Sequence, residues 1–185
     1  MAVSAQKKKK KWYAIYAPGL FNEQVIGESL TSEPSSLIGK RVGLNLMNLT
    51  NDPKKQNFRI IFKIIKVDGE KAFTDIIGYE MLLTHVKRIM RKGIEKVEDS
   101  FIVQSKDNVN MQIKPLLLAR NKTRHSVLTA IRKTTREFLA EEAKKQDYNE
   151  LVQCIIINKI QKQLRDKVNK IYPLVACEFR IVKKI

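Results

Sequence analysis

Two apolar-rich runs, 58–67 and 72–79, flank Asp68-Gly69, and this pairing limits the possible folds more than any other stretch. Asp-Gly readily adopts the positive φ of a tight turn, so the two runs are predicted to form an antiparallel hairpin. Further strands are predicted at 12–17 (WYAIYA), stopped by Pro18-Gly19, and at 25–30, ahead of the loop TSEPSS at 31–36. Residues 41–49 alternate through Val42, Leu44 and Leu46 until Asn51-Asp52-Pro53 ends the run. A second hairpin joins 97–105, with Phe101 and Val103, to 111–118, with Ile113, around a Lys-Asp-Asn turn. Pro115 has no N–H to donate and marks an edge or a bulge. Residues 175–185 form the last predicted strand.

Helical spacing appears in three places. Residues 81–91 carry Leu82, Leu83, Val86, Ile89 and Met90, with Gly93 as the stop. From Thr123 the period becomes 3.6, and Val127, Leu128, Ile131, Thr135, Phe138 and Leu139 make one stripe. Asn149 is expected to cap the next helix. Its stripe begins as Leu151, Val152, Ile155 and Ile156 but resumes as Ile157, Ile160, Leu164, Val168 and Ile171. These sets do not share a face, so a break is expected near Asn158. The order of strands, helix, strands, helices and strand predicts an α+β fold. With 185 residues, 43% of them hydrophobic, the chain can bury one core. We expect a single domain at 12–185 behind a basic tail at 1–11 that is disordered when alone.

Charge narrows the partner. Lys and Arg number 36 against 19 Asp and Glu, a net +17, and five of the lysines run together as Lys7, Lys8, Lys9, Lys10 and Lys11. Without that run, 31 basic residues (36 less five) still face 19 acidic ones, a net +12. Such a domain repels itself unless a polyanion neutralises it, which points to nucleic acid and not to a small-molecule substrate. A membrane surface is the competing polyanion. No long apolar run, secretory signal or lipidation motif is present, so no membrane partner is expected and the expectation is a soluble intracellular protein.

Chemistry-bearing patterns are sparse. Cys154 and Cys177 stand far apart with no C-x-x-C, and His85 and His125 are isolated, so neither metal nor cofactor is expected. The seven glycines form no nucleotide-binding loop, and no serine sits in a G-x-S-x-G elbow. Acidic residues cluster at Glu95, Glu98 and Asp99, and at the pair Glu141-Glu142; surface solubility accounts for both. No catalytic residue is assigned and the chain is not expected to be an enzyme.

The cations are placed in a pattern. On the helix starting near Thr123, His125, Thr129, Arg132 and Arg136 fall along one side, with Lys133 at its edge. Arginine forks beside a packed surface suit phosphate contacts; an ordinary solvated face with i, i+4 pairs is the alternative. Arg120, Lys122 and Arg124 precede the helix, where free N–H groups attract anions and Thr123 could cap. Lys159, Lys162 and Lys170 form a weaker patch on the later helix. Arg180, Lys183 and Lys184 close the last strand, with Arg180 expected on the side of Val182 and opposite Lys183. Trp12 and Tyr13 follow the lysine run and could stack on bases, although core packing is the more ordinary role for Trp12.

Several stretches together resemble one family: KKKWYAIYAPGLFNEQVIGESL at 9–30, KRVGLNLMNLTND at 40–52, FKIIKVDGEKAFTDIIGYEM at 62–81, TAIRKTTREFLAEEA at 129–143 and KIYPLVACEFRIVKK at 170–184. The chain resembles the small-subunit ribosomal protein 3a family of archaea and eukaryotes (e-type protein one, absent from bacteria). The resemblance implies a strongly bent, barrel-like sheet of about seven strands beside three to four helices, in keeping with the α+β order. It also implies a non-catalytic structural protein of the cytoplasmic ribosome, binding small-subunit rRNA on the platform near the mRNA exit and the rRNA 3′ end. Neighbouring platform proteins, mRNA and initiation factors are the further partners implied. The basic segment up to Trp12, Arg132 with Lys133, and Arg180 with Lys183 fall at matching positions among the implied rRNA-facing surfaces. The chain ends soon after the last predicted strand, so the archaeal form is expected. Asp107-Asn108 replaces the family's usual Asp-Gly turn, and Asn tolerates the positive φ required. Gln112 and Ile181 stand where relatives often carry basic residues. A different class of function, a protein-interaction adaptor, would need an exposed apolar patch such as residues 116–118.

Overall fold

The computed structural model describes residues 9–185. Nine strands and five α-helices lie among them: β1 Lys11–Tyr16, β2 Val25–Thr31, β3 Arg41–Asn45, α1 Leu46–Thr50, β4 Phe58–Asp68, β5 Lys71–Met81, α2 Leu83–Ile89, β6 Glu95–Glu98, β7 Phe101–Gln104, β8 Asn110–Ala119, α3 His125–Lys145, α4 Tyr148–Ile156, α5 Lys159–Asn169 and β9 Leu174–Lys184. The fold is α+β, as expected. Lys11 already belongs to β1, one residue earlier than the predicted start of the strand.

One sheet holds all nine strands in the order β2-β1-β5-β9-β8-β6, with β3 and β4 extending from β5, and β7 from β8. The β1–β5 ladder is parallel and the others are antiparallel. No ladder among the described residues joins the sheet's ends, so it is mixed and open. The β4–β5 hairpin turns at Gly69, φ +58°, a conformation that costs L side chains energy and glycine nothing. The second hairpin turns at Asn108, φ +59°.

The main core lies between the sheet and α3–α5, with α5 on β9 and α3 on β6 and β7. Ile60, Phe62, Tyr79, Phe179 and Val182 face α-helical residues such as Ile131, Leu151 and Leu164 in it. A smaller cluster of Tyr13, Ile15, Leu37, Ile64 and Ala72 joins β1 to the β4–β5 hairpin. Residues 116–118 are buried in the main core, so they do not form the exposed patch named for the adaptor reading.

Several boundaries depart from the sequence expectation, each for a local reason. The run 41–49 leaves the strand at Asn45, whose side-chain oxygen accepts from Met47 N at 2.9 Å and caps α1. Met81 remains in β5, so the helix expected over 81–91 shortens to α2. The run 97–105 is two strands, because Asp99-Ser100 leaves the ladder opposite Lys114-Pro115. Asp147, not Asn149, caps α4, in a capping box with Glu150. The break between α4 and α5 falls at Asn158, φ +62°, as the split stripe requires.

Candidate nucleic-acid interface

Pro115 shapes the cationic end of the sheet. With no N–H to donate, it sits at a register shift: Lys114 pairs with Ile181 and Pro115 with Phe179, leaving Arg180 as the extra residue of a β-bulge. The bulge moves burial from Phe179 to Val182, three residues on, so simple alternation does not place Arg180 beside Val182. Arg180 reaches Glu98 at 3.3 Å, while Lys96 approaches the same carboxylate at 3.0 Å. Glu98, Asp99, Ser100, Lys114, Pro115 and Arg180 line a cavity of about 470 Å³.

Arg136 is anchored at the same break. Its guanidinium forms a two-pronged pair with Asp99, Nη2 lying 2.7 Å from Oδ1, and it lies over the Phe101 ring. The hydrogen bond from Arg136 holds the Asp99 carboxyl below its ordinary range, helped by Ser100 N–H and the charge of Arg132. Arg132 is half-buried and its Nε has no hydrogen-bond partner. Three arginines predicted to face phosphate therefore gather around Glu98-Asp99, two of them in ion pairs. The acidic cluster assigned to surface solubility is a set of internal anchors.

The loop before α3 is different. Arg120, Lys122 and Arg124 are exposed and make no ion pair among the described residues. Lys122, Thr123, Arg124, Val127 and Tyr172 border an open hollow of about 460 Å³ at the start of the helix. Arg124, not Thr123, occupies the cap position, and Thr123 N donates to Glu95 Oε2 at 2.8 Å. A carboxylate of the protein thus meets one of the loop's N–H groups, and the three cations beside it are exposed. Lys133, about two turns into the helix, is exposed and makes no ion pair among the described residues either.

The N-terminal candidates continue into β1, which lies between β2 and β5. Lys7 and Lys8 lie outside the described residues. Lys9 and Lys10 are exposed, and Lys11 approaches Glu70 at 3.9 Å. Trp12 is 61% exposed, opposite the exposed Leu30 on β2, while Tyr13 is buried. Core packing, the more ordinary role, therefore falls to Tyr13, and Trp12 presents its ring to solvent. Lys159, Lys162 and Lys170 all lie on the exposed side of α5 or at its end.

Periodicity along single strands missed a further group. Arg41 pairs with Lys63 and Lys63 with Asp75; Lys183 pairs with Gly78 and Gln112. Directly paired residues share a face of a sheet, so these belong to the side away from Phe62, Tyr79 and Val182. Lys183 was named from the sequence; Arg41 and Lys63 join it only through ladder register.

No helix among the described residues is long and apolar enough to cross a membrane, and no group of His, Cys, Asp and Glu among them could hold a metal ion. The family model described as the Ribosomal S3Ae family matches residues 2–185. The small ribosomal subunit protein eS1 of Nanoarchaeum equitans is 37% identical, over 91% of this chain and 85% of the relative. The protein of the same name from Methanothermobacter thermautotrophicus is 33% identical, over 92% of this chain and 88% of the relative. That of Methanothrix thermoacetophila is 30% identical, over 97% and 88%. The chain belongs to the ribosomal S3Ae family, a family of ribosomal structural proteins and not of enzymes.

Proposed function

We propose that this protein is a structural constituent of the small ribosomal subunit that binds small-subunit rRNA through the loop before α3, the exposed side of α3 and the segment around Trp12. The carrying observation is that Arg120, Lys122, Arg124 and Lys133 stand exposed and without ion pairs among the described residues, on a chain of net charge +17 that belongs to a ribosomal family. Phosphates brought to these cations displace condensed counterions, and that release drives association. The packed sheet and helices supply a preset shape, and Trp12 offers a face on which a base can stack. Its place is the cytoplasm, within the ribosome. The finer location is part of the proposal: the platform, near the mRNA exit and the rRNA 3′ end, beside other small-subunit proteins and within reach of mRNA and initiation factors.

Photo-crosslinking in assembled small subunits tests this reading. Adducts are expected between the 120–124 loop or Trp12 and rRNA near the 3′ end. Adducts confined to other proteins would overturn it. Trp12 is the single tryptophan of the chain, so quenching of intrinsic fluorescence by added rRNA reports its stacking.

A further inference from the structure

The sheet face carrying Arg41, Lys63 and Lys183 holds a groove that the RNA reading does not use. It measures about 470 Å³ and is lined by Ile38, Ile65, Ile77 and Ile185 together with Arg41, Lys63, Lys183 and Lys184. Asp75 is the one acidic side chain among the described residues of its wall, and Lys184 approaches it at 3.6 Å. Arg41, Lys63 and Lys183 make no ion pair among the described residues. A second hollow of about 300 Å³ shares Arg41, Ile77 and Lys183, so the groove continues across the strands.

Its aliphatic lining is unusual for a solvent-facing surface. Ile38, Ile65 and Ile185 are 54%, 56% and 68% exposed. Ile65 and Ile77 are the residues left over at two register shifts of the β4–β5 ladder, between Ile64 and Lys66 and between Ile76 and Gly78. Bulges of this kind re-aim side chains. Beside the groove, β5 pairs with β1 only through Phe73 and with β9 only from Gly78. Residues 74–77 therefore have no strand partner on that edge.

We propose that this groove docks an extended, acidic segment of a partner protein in which carboxylates alternate with aliphatic side chains. Alternation matches a strand-like segment, which presents one kind of side chain to each side and can use an open backbone edge. Three unpaired cations attract carboxylates, and the isoleucines bury the aliphatic positions. RNA fits less well, because no exposed aromatic ring among the described residues lines the groove for a base to stack on. A second copy of this chain is disfavoured by its own charge of +17. This proposal does not rest on the RNA reading.

Fluorescence polarisation with the full chain tests it, using a fluorescein-labelled ten-residue peptide of alternating Glu and Val as the probe. A control peptide replaces every Val with Ser. The alternating peptide is expected to bind at least about tenfold more tightly than the control. Ile65→Ser and Lys63→Glu should each weaken it by about fivefold or more, with Lys122→Glu leaving it unchanged. Both altered groove residues are exposed, so core packing is retained, and circular dichroism checks this. Equal binding of the two peptides, no binding at millimolar peptide, or displacement by an RNA oligonucleotide whose own affinity falls with Ile65→Ser would each overturn the proposal.

Discussion

Glu178, on β9, has one carboxylate oxygen buried without a hydrogen-bond partner. Burial pushes this carboxyl up to about 7, although the charge of Arg165 pulls the other way. Its neighbours feel the same setting: burial raises the Cys177 thiol to about 12, and burial and then the Glu178 charge raise the Tyr79 hydroxyl. The folded protein holds the Glu178 proton more tightly than the unfolded chain. Its favourable contribution is therefore complete below the ordinary carboxylate range and is lost as pH rises toward 7. Ionisation above that costs about 3 kcal/mol at most. Glu178→Gln is predicted to raise Tm at pH 8 and to flatten the fall in stability between pH 5 and 7, measured by urea melts. An unchanged slope would contradict this. Asp99 has the opposite sign, held low chiefly by the Arg136 hydrogen bond. Asp99→Asn should release Arg136 and raise rRNA affinity by about twofold to fivefold in a filter-binding titration; a loss of affinity would show that the pair positions Arg136 for RNA.

The α4–α5 break rests on Asn158, whose left-handed backbone lets two helices bury different faces, Leu151, Val152 and Ile155 on one side of it and Ile160, Leu164 and Val168 on the other. Gln161 Nε2 donates to Ile155 O at 2.9 Å and to Asn158 Oδ1 at 3.1 Å, tying the helices together. Asn158→Val should lower stability by about 1–2 kcal/mol in denaturant melts, and Asn158→Gly by less. This break was legible in the sequence because helical periodicity is a local property. The Asp68-Gly69 hairpin was legible for the same reason. What was hidden depends on cross-strand register: the splitting of 97–105 opposite Pro115, the bulge at Arg180, and the row joining Arg41 to Lys63. The cations themselves were easy to name, but Arg136 and Arg180 turned out to be tied to Asp99 and Glu98. Only placing residues separated by 37 or more positions side by side reveals that.

Across the molecule, one sheet and three long helices hold a large positive charge on a single packed core. Part of it is neutralised internally, at Glu98, Asp99, Glu70 and Asp75. The unpaired cations of the 120–124 loop and of α3 remain directed at solvent. Phosphate neutralisation by these residues is the central claim, and the salt dependence of rRNA affinity measures it most directly. The logarithm of the association constant for purified small-subunit rRNA should fall linearly with the logarithm of salt concentration. Replacing Arg120, Lys122 and Arg124 together by Ala should reduce the steepness of that line by about two to three. An affinity indifferent to salt, or the same steepness in the triple variant, would contradict the account.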